Sequence, residues 1–221
     1  MHSNLVDGVG LWLEVSQAPS APICALFLDR DGVIVEDVHY LAKVADIKLL
    51  AGAPQAIAEI NALGVPVVVV TNQSGIGRGY YDWQTFHEIH LAIAWQLAEA
   101  GARIDAVLAC AYHEDARPPF NVADHVWRKP NPGMIHMAEA TMQCDLARSV
   151  IVGDRYSDIE SGKRAGLGRG ILLQSGSQPS GMPARKSDDI EVTTAPDLAA
   201  AVRLLRAEGW PSQWVKCREA L

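Results

Sequence analysis

Between Val65 and Val70 the chain is almost pure valine around a single proline. Such a run has no polar face, so it predicts a strand buried on both sides. Strands of that kind belong to parallel sheets covered by helices on either face. The rest of the chain alternates to match. Ile23–Leu28, Ile104–Ala109, Ser149–Val152 and Gly170–Leu173 are further short apolar runs of strand type. Pro54–Leu63, Gly133–Met142 and Asp158–Ala165 read as helices. Asp82 is placed to cap a long helix reaching about Ala100, with Phe86, Ile89, Ile93 and Leu97 along one side. Thr194-Ala195-Pro196-Asp197 opens a last helix ending near Glu208. This alternation predicts an α/β fold, a three-layer Rossmann-like parallel sheet.

Residues 1–20 are weakly patterned and read as an N-terminal extension, followed by one domain over 21–210 and a C-terminal tail over 211–221. Residues 175–188 read as a polar loop, and Trp210 and Trp214 as anchors for the tail. A formal net charge of −7 argues against general binding to nucleic acid or a membrane surface. Cys24, Cys110, Cys144 and Cys217 show neither a CxxC pair nor a disulfide framework, which suits a reducing compartment, with Cys24 and Cys144 buried. No apolar run is long enough to span a bilayer, and no secretory pattern opens the chain. A cytoplasmic monomer is expected.

Four polar segments each follow or face a predicted strand end, where open α/β sheets bind ligands. In Leu28-Asp29-Arg30-Asp31-Gly32 two aspartates follow an apolar strand, and strand alternation would turn both to one face. Paired carboxylates repel unless a hard cation such as Mg²⁺ lies between them. They also suit a division of labour, one as nucleophile and the other as proton donor. Thr71-Asn72-Gln73-Ser74-Gly75 follows the valine strand and offers hydroxyl, amide and backbone donors for phosphate oxygens. Arg128-Lys129-Pro130-Asn131-Pro132-Gly133 delivers cations at the start of a helix. Val152-Gly153-Asp154-Arg155-Tyr156-Ser157-Asp158 again stops a buried strand at an aspartate. Singly, each reads as well as a polar turn, an exposed basic pair or a helix-start acid. Together, in this order, they do not.

These segments resemble the haloacid dehalogenase (HAD) superfamily of phosphotransferases over roughly residues 23–173. FLDRDGVI, TNQSGIGRG, RKPNPGM and VGDRYSD are closest to the subgroup of heptose-1,7-bisphosphate and histidinol-phosphate phosphatases. The resemblance implies a HAD-type sheet with a minimal cap domain or none, acting on a small phosphorylated metabolite. A sugar bisphosphate of the heptose type leads, with histidinol phosphate or another phosphomonoester as rivals. It implies Asp29 as nucleophile and Asp31 as acid and base. Mg²⁺ would be held by Asp29, the Asp31 carbonyl and Asp154, with Asp158 orienting the site from behind. Thr71, Asn72 and Lys129 would bind the transferring phosphoryl group. Asp37, Tyr40, Ser74, Arg128 and Arg155 would shape the substrate pocket; the subgroup usually has lysine where Arg155 stands, and the two cations differ in geometry. Arg30 reads as a surface or sugar-contacting residue. A non-catalytic relative would have lost Asp29, Asp31, Lys129 or Asp154, and all four are present.

One departure concerns a structural zinc that the subgroup carries after its third strand. The corresponding places hold Cys110, Tyr112, His125 and Trp127. Cys110, His113 and His125 are three candidate ligands where closed zinc sites want four, so zinc is not expected. Tyr112, Pro118, Pro119, Phe120 and Trp127 are expected to pack the loop instead. Trp83, Trp95 and Phe86 are expected in the core, and His87 and His90 on or near the surface.

Overall fold

The computed structural model describes residues 4–19, 23–174 and 191–212. The 175–188 loop, Trp214 and Cys217 lie outside them. The described residues form a seven-stranded sheet in the order β1-β4-β3-β2-β5-β6-β7. The strands are β1 Leu11–Val15, β2 Leu26–Leu28, β3 Val67–Asn72, β4 Ala106–Cys110, β5 Val150–Gly153, β6 Arg169–Leu173 and β7 Glu191–Ala195. All neighbours pair parallel except β1, which runs antiparallel along the edge of β4. The helices are α1 Ala53–Ala62, α2 Ser74–Arg78, α3 Trp83–Glu99, α4 Gly133–Met142, α5 Tyr156–Ala165 and α6 Leu198–Ala207.

The three layers follow from period two in the central strands. Leu26, Leu28, Val67 and Val69 face one side, where they pack with Ile57 and Ile60 of α1, Phe86 and Ile93 of α3, and Val202 and Leu205 of α6. Phe27, Val68 and Val70 face the other side, against Met134 and Ile135 of α4 and Ile159 of α5. Asp82 caps α3 as expected, its side chain accepting from the Thr85 amide. Between β2 and α1 the only helical piece is a short 3₁₀ turn at Val44–Asp46, so the described residues contain no cap domain.

Four features depart from the sequence reading. Leu11–Val15, inside the weakly patterned N-terminal segment, joins the sheet, and Trp12 is buried against Trp83 and Phe86. Strand β7 lies where only a helix start was expected. Trp83 and Phe86 are core residues, but Trp95 stands 65% exposed on the outer side of α3. His90 is buried on the inner side, its imidazole pushed down to about 4 by burial and by Arg30 beside it. Cys24 and Cys144 are buried thiols.

Candidate active site

Because β2, β3 and β5 run parallel, their carboxyl ends open on one side of the sheet. A cavity of about 320 Å³ lies there, with Asp29, Asp31, Asn72, Lys129, Arg155 and Asp158 in its walls. The structure thus brings all four polar segments together.

Asp29 directly follows β2 and prolongs its ladder, the backbone N–H donating to Val152 O at 3.1 Å. Its Oδ1 accepts from the Arg30 amide at 2.8 Å. The chain then reverses in a tight turn at Gly32, whose φ of 79° favours glycine. A Cβ there would lie 2.4 Å from Asp154 Oδ2, so only glycine lets the first and fourth segments approach this closely.

Lys129 reaches in from the loop before α4 and is almost completely buried. A buried ammonium is tolerated only when its charge and donors are matched. Its Nζ lies 2.7 Å from Asp158 Oδ1 and 3.0 Å from Asp29 Oδ1, and donates to Val70 O at 2.8 Å. Two carboxylates and one carbonyl thus surround the ammonium. Burial works against the charge, but Asp158 and Asp29 hold its proton affinity above that of an ordinary lysine. Asp158 also accepts from the Arg155 amide at 3.0 Å, capping α5. Both of its oxygens are therefore engaged in fixing Lys129 and the helix start.

Carboxylate oxygens of Asp29, Asp154 and Asp158 all lie within 4.8 Å of one another, and all three residues are buried. Burial, then the charges of Asp29 and Asp158, push the Asp154 carboxyl up to about 7. Among the described residues this is the one acidic, histidine or cysteine group able to hold a metal ion. Counting Asp31, four carboxylates face two buried cations, Lys129 and Arg30. A phosphate would deepen the negative excess, and a hard divalent cation with oxygen ligands would correct it. The donor set fits Mg²⁺.

Asp31 shares the cavity wall with Asp29. The alternation argument is not the reason, since β2 has already ended at Leu28. The turn and Arg30 place it instead. The Arg30 guanidinium donates to both Asp31 oxygens, at 2.9 to 3.1 Å. The expectation of Arg30 as a surface or sugar-contacting residue is therefore corrected: it is 3% exposed, under the floor of the site and over the Phe86 ring.

The remaining candidates divide. Ser74, Asp37, Tyr40 and Arg128 line the cavity. Asn72 does too, but its amide is engaged with both backbone groups of Lys129, at 3.1 Å each. Thr71 is buried beneath the wall and accepts from Gln73 Nε2 at 2.9 Å. At the rim Arg155 pairs with Asp37 at 2.8 Å, and the Tyr40 ring packs on Tyr80. Arg128 donates to the Tyr112 carbonyl at 3.1 Å. Ser157, in the fourth motif, lines the cavity without having been singled out. Gln73 and Tyr81 were also missed; Gln73 stood within the second motif, whereas nothing near Tyr81 signals chemistry.

At the end of β4 and in the loop after it, Cys110, His113 and His125 do not form a metal-holding cluster. Burial pushes the Cys110 thiol up to about 11. His113 contacts Arg78, while His125 stacks on Tyr112 with ring centroids 3.7 Å apart. Trp127 and Phe120 complete an aromatic group, but Pro118 and Pro119 are exposed outside it. The Tyr112 hydroxyl donates to Asp7 Oδ2 at 2.5 Å, tying the N-terminal segment to this loop.

Comparison with known proteins agrees with this geometry. A HAD-hydrolase-like family model matches residues 126–201. The D-glycero-beta-D-manno-heptose-1,7-bisphosphate 7-phosphatase of Mesorhizobium japonicum is 44% identical over 202 residues, covering 89% of this chain and 91% of that one. A HAD-like protein from Mesorhizobium loti superposes with a TM-score of 0.82 at 40% identity, over 91% and 97% of the two chains. D,D-heptose 1,7-bisphosphate phosphatase from B. bronchiseptica, solved with magnesium and phosphate, gives 0.68 at 30% identity, over 85% and 99%.

Proposed function

The chain belongs to the HAD family of phosphatases, and from that premise we propose that it hydrolyses a heptose-type sugar bisphosphate through an aspartyl-phosphate on Asp29. One juxtaposition supports the chemistry. Asp29, at the tip of β2, lies within reach of Asp154 from β5 and of the Lys129 ammonium. The substrate class is supported by the 7-phosphatases among its relatives.

Asp29 attacks phosphorus while the bond to the leaving alkoxide breaks, and Asp31 gives that alkoxide its proton. Asp31 then takes a proton from water, which attacks the aspartyl-phosphate, frees phosphate and restores Asp29. Lys129, held by Asp158 and Val70 O, offsets charge on the transferring oxygens from a fixed position. Asp29, Asp154 and the Asp31 carbonyl would hold Mg²⁺. When bound, the ion neutralises the crowded carboxylates and withdraws charge from the phosphoryl oxygens. Arg128 and Arg155, cations in the wall, are placed to receive the rest of a doubly phosphorylated substrate.

A phosphate-release panel with Mg²⁺ tests the reading. Heptose 1,7-bisphosphate should lead over histidinol phosphate and other monoesters, and Asp29→Asn should abolish release. Full turnover in that variant would remove Asp29 as nucleophile, and a preference for histidinol phosphate would overturn the substrate assignment.

A further inference from the structure

Asp31 is held by groups that the reaction scheme leaves without a role. Oδ2 accepts from Arg30 Nη2 at 2.9 Å and from Gln73 Nε2 at 3.0 Å. Gln73 is 2% exposed, and the orientation of its amide is dictated by its neighbours. Its Oε1 receives two donors, Arg30 Nη2 at 3.2 Å and the Tyr81 hydroxyl at 2.5 Å. Reversing the amide would press its N–H groups against the Arg30 guanidinium, which cannot accept, and its oxygen against a carboxylate. Nε2 must therefore face Asp31 and Thr71, and its two hydrogens serve one each. Burial pushes the Tyr81 phenol up to about 12, so it stays protonated and remains a donor to Gln73 across the neutral range.

This arrangement has a consequence at Thr71. Its Oγ1 accepts from Gln73, which leaves the threonine's own hydroxyl proton for another acceptor. Through one amide, Asp31 and Thr71 are fixed relative to each other.

We propose that Gln73 and Tyr81, together with Arg30, are positioning residues that aim the Asp31 carboxyl at the leaving oxygen and fix Thr71 beneath it. Tyr81 acts at a distance: it touches Gln73, which touches both functional groups. The proposal rests on the reading of Asp31 as the group that protonates the leaving oxygen. A cradle that serves only folding would weaken turnover of every ester alike. A cradle that aims a proton donor matters most where the leaving group needs the proton.

The test compares kcat/KM of the Mg²⁺-loaded full-length enzyme on an alkyl ester, the sugar phosphate, and on 4-nitrophenyl phosphate. The aryl ester expels a stable phenolate that needs little help from an acid. Asp31→Asn calibrates the comparison, its alkyl-to-aryl ratio falling by about 10²-fold or more, the lower range for a lost general acid. Tyr81→Phe removes one hydroxyl and preserves shape, so it is the primary variant, and Gln73→Leu is the second. Both should lower the alkyl-to-aryl ratio by about tenfold, a loss of about 1.4 kcal/mol in aiming. Equal losses on both esters in Tyr81→Phe would overturn the positioning role while leaving Asp31 in place. An unchanged ratio in Asp31→Asn would instead overturn the proton-donor reading, and this proposal with it.

Discussion

Asp154 is held well above the ordinary carboxylate range. Desolvation and the charges of Asp29 and Asp158 lift its carboxyl from 3.8 to about 7. The native state therefore binds a proton that the unfolded chain releases, and metal-free stability falls as pH rises from about 4 through about 7. Asp154→Asn should remove that loss. Its metal-free Tm at about pH 8 should rise by about 3 °C or more, since about 1 kcal/mol moves a domain of this size by about 2–4 °C. Wild type should gain more from Mg²⁺ at about pH 8 than at about pH 5, where protons compete, and the variant should gain little at either. Thermal melts with and without Mg²⁺ at both values check this, and a metal-dependent gain retained in the variant would remove Asp154 as a ligand. His90 has the opposite sign. Its folded value near 4 lies below the ordinary 6.5, so it costs stability as pH falls through that window. Single residues were legible where a strand end meets a charge. Asp29, Lys129, Asp154 and Asp158 all stood next to apolar runs or helix starts. Arg30 was misread because its burial depends on Phe86 and Gln73, far away in sequence.

At the scale of elements, the parallel core was readable because its strands are apolar on both faces. β1 was not readable, because it is short, paired along one edge only, and its partner β4 lies far along the chain. Strand β7 is mostly exposed, so its Glu-Val-Thr-Thr-Ala stretch carries little hydrophobic pattern. The segment leading into β1 does more than close an edge. Asp7 accepts from the amides of Val9, Gly10 and Leu11 and from the Tyr112 hydroxyl. Tyr112 in turn stacks on His125, and its carbonyl receives Arg128. The loop beside the cavity is thus stapled by an aromatic group and one carboxylate. Asp7→Asn and Tyr112→Phe should each cost about 1.5–3 kcal/mol in urea unfolding, the range for a hydrogen bond to a charged group. The double variant should lose clearly less than the sum, because both changes remove the same contact. Strict additivity would show that the two residues do not hold one another.

Across the whole molecule, helices on both faces clamp a sheet whose carboxyl ends supply the chemistry. The last described segment returns to the centre. Trp210 is fully buried, and its indole N–H donates to Arg148 O at 2.9 Å, just ahead of β5. Trp210→Ala should therefore cost about 3–5 kcal/mol, the range for a large buried aromatic. A loss below about 1 kcal/mol in denaturant unfolding would mean that this segment adds little to the domain. The α/β architecture and the four-motif site were legible because three motifs end a buried run and the remaining one opens a helix, so pattern and chemistry coincide. The network beneath the site was not, since hydrogen bonds among Arg30, Gln73 and Tyr81 leave no periodic trace. The most direct measurement is the mass of the Asp29 peptide from enzyme quenched in acid during turnover. The mechanism predicts one added phosphoryl group on Asp29, absent in Asp29→Asn and enriched in Asp31→Asn. Phosphate release with that peptide unmodified, or the phosphoryl group on another residue, would contradict it.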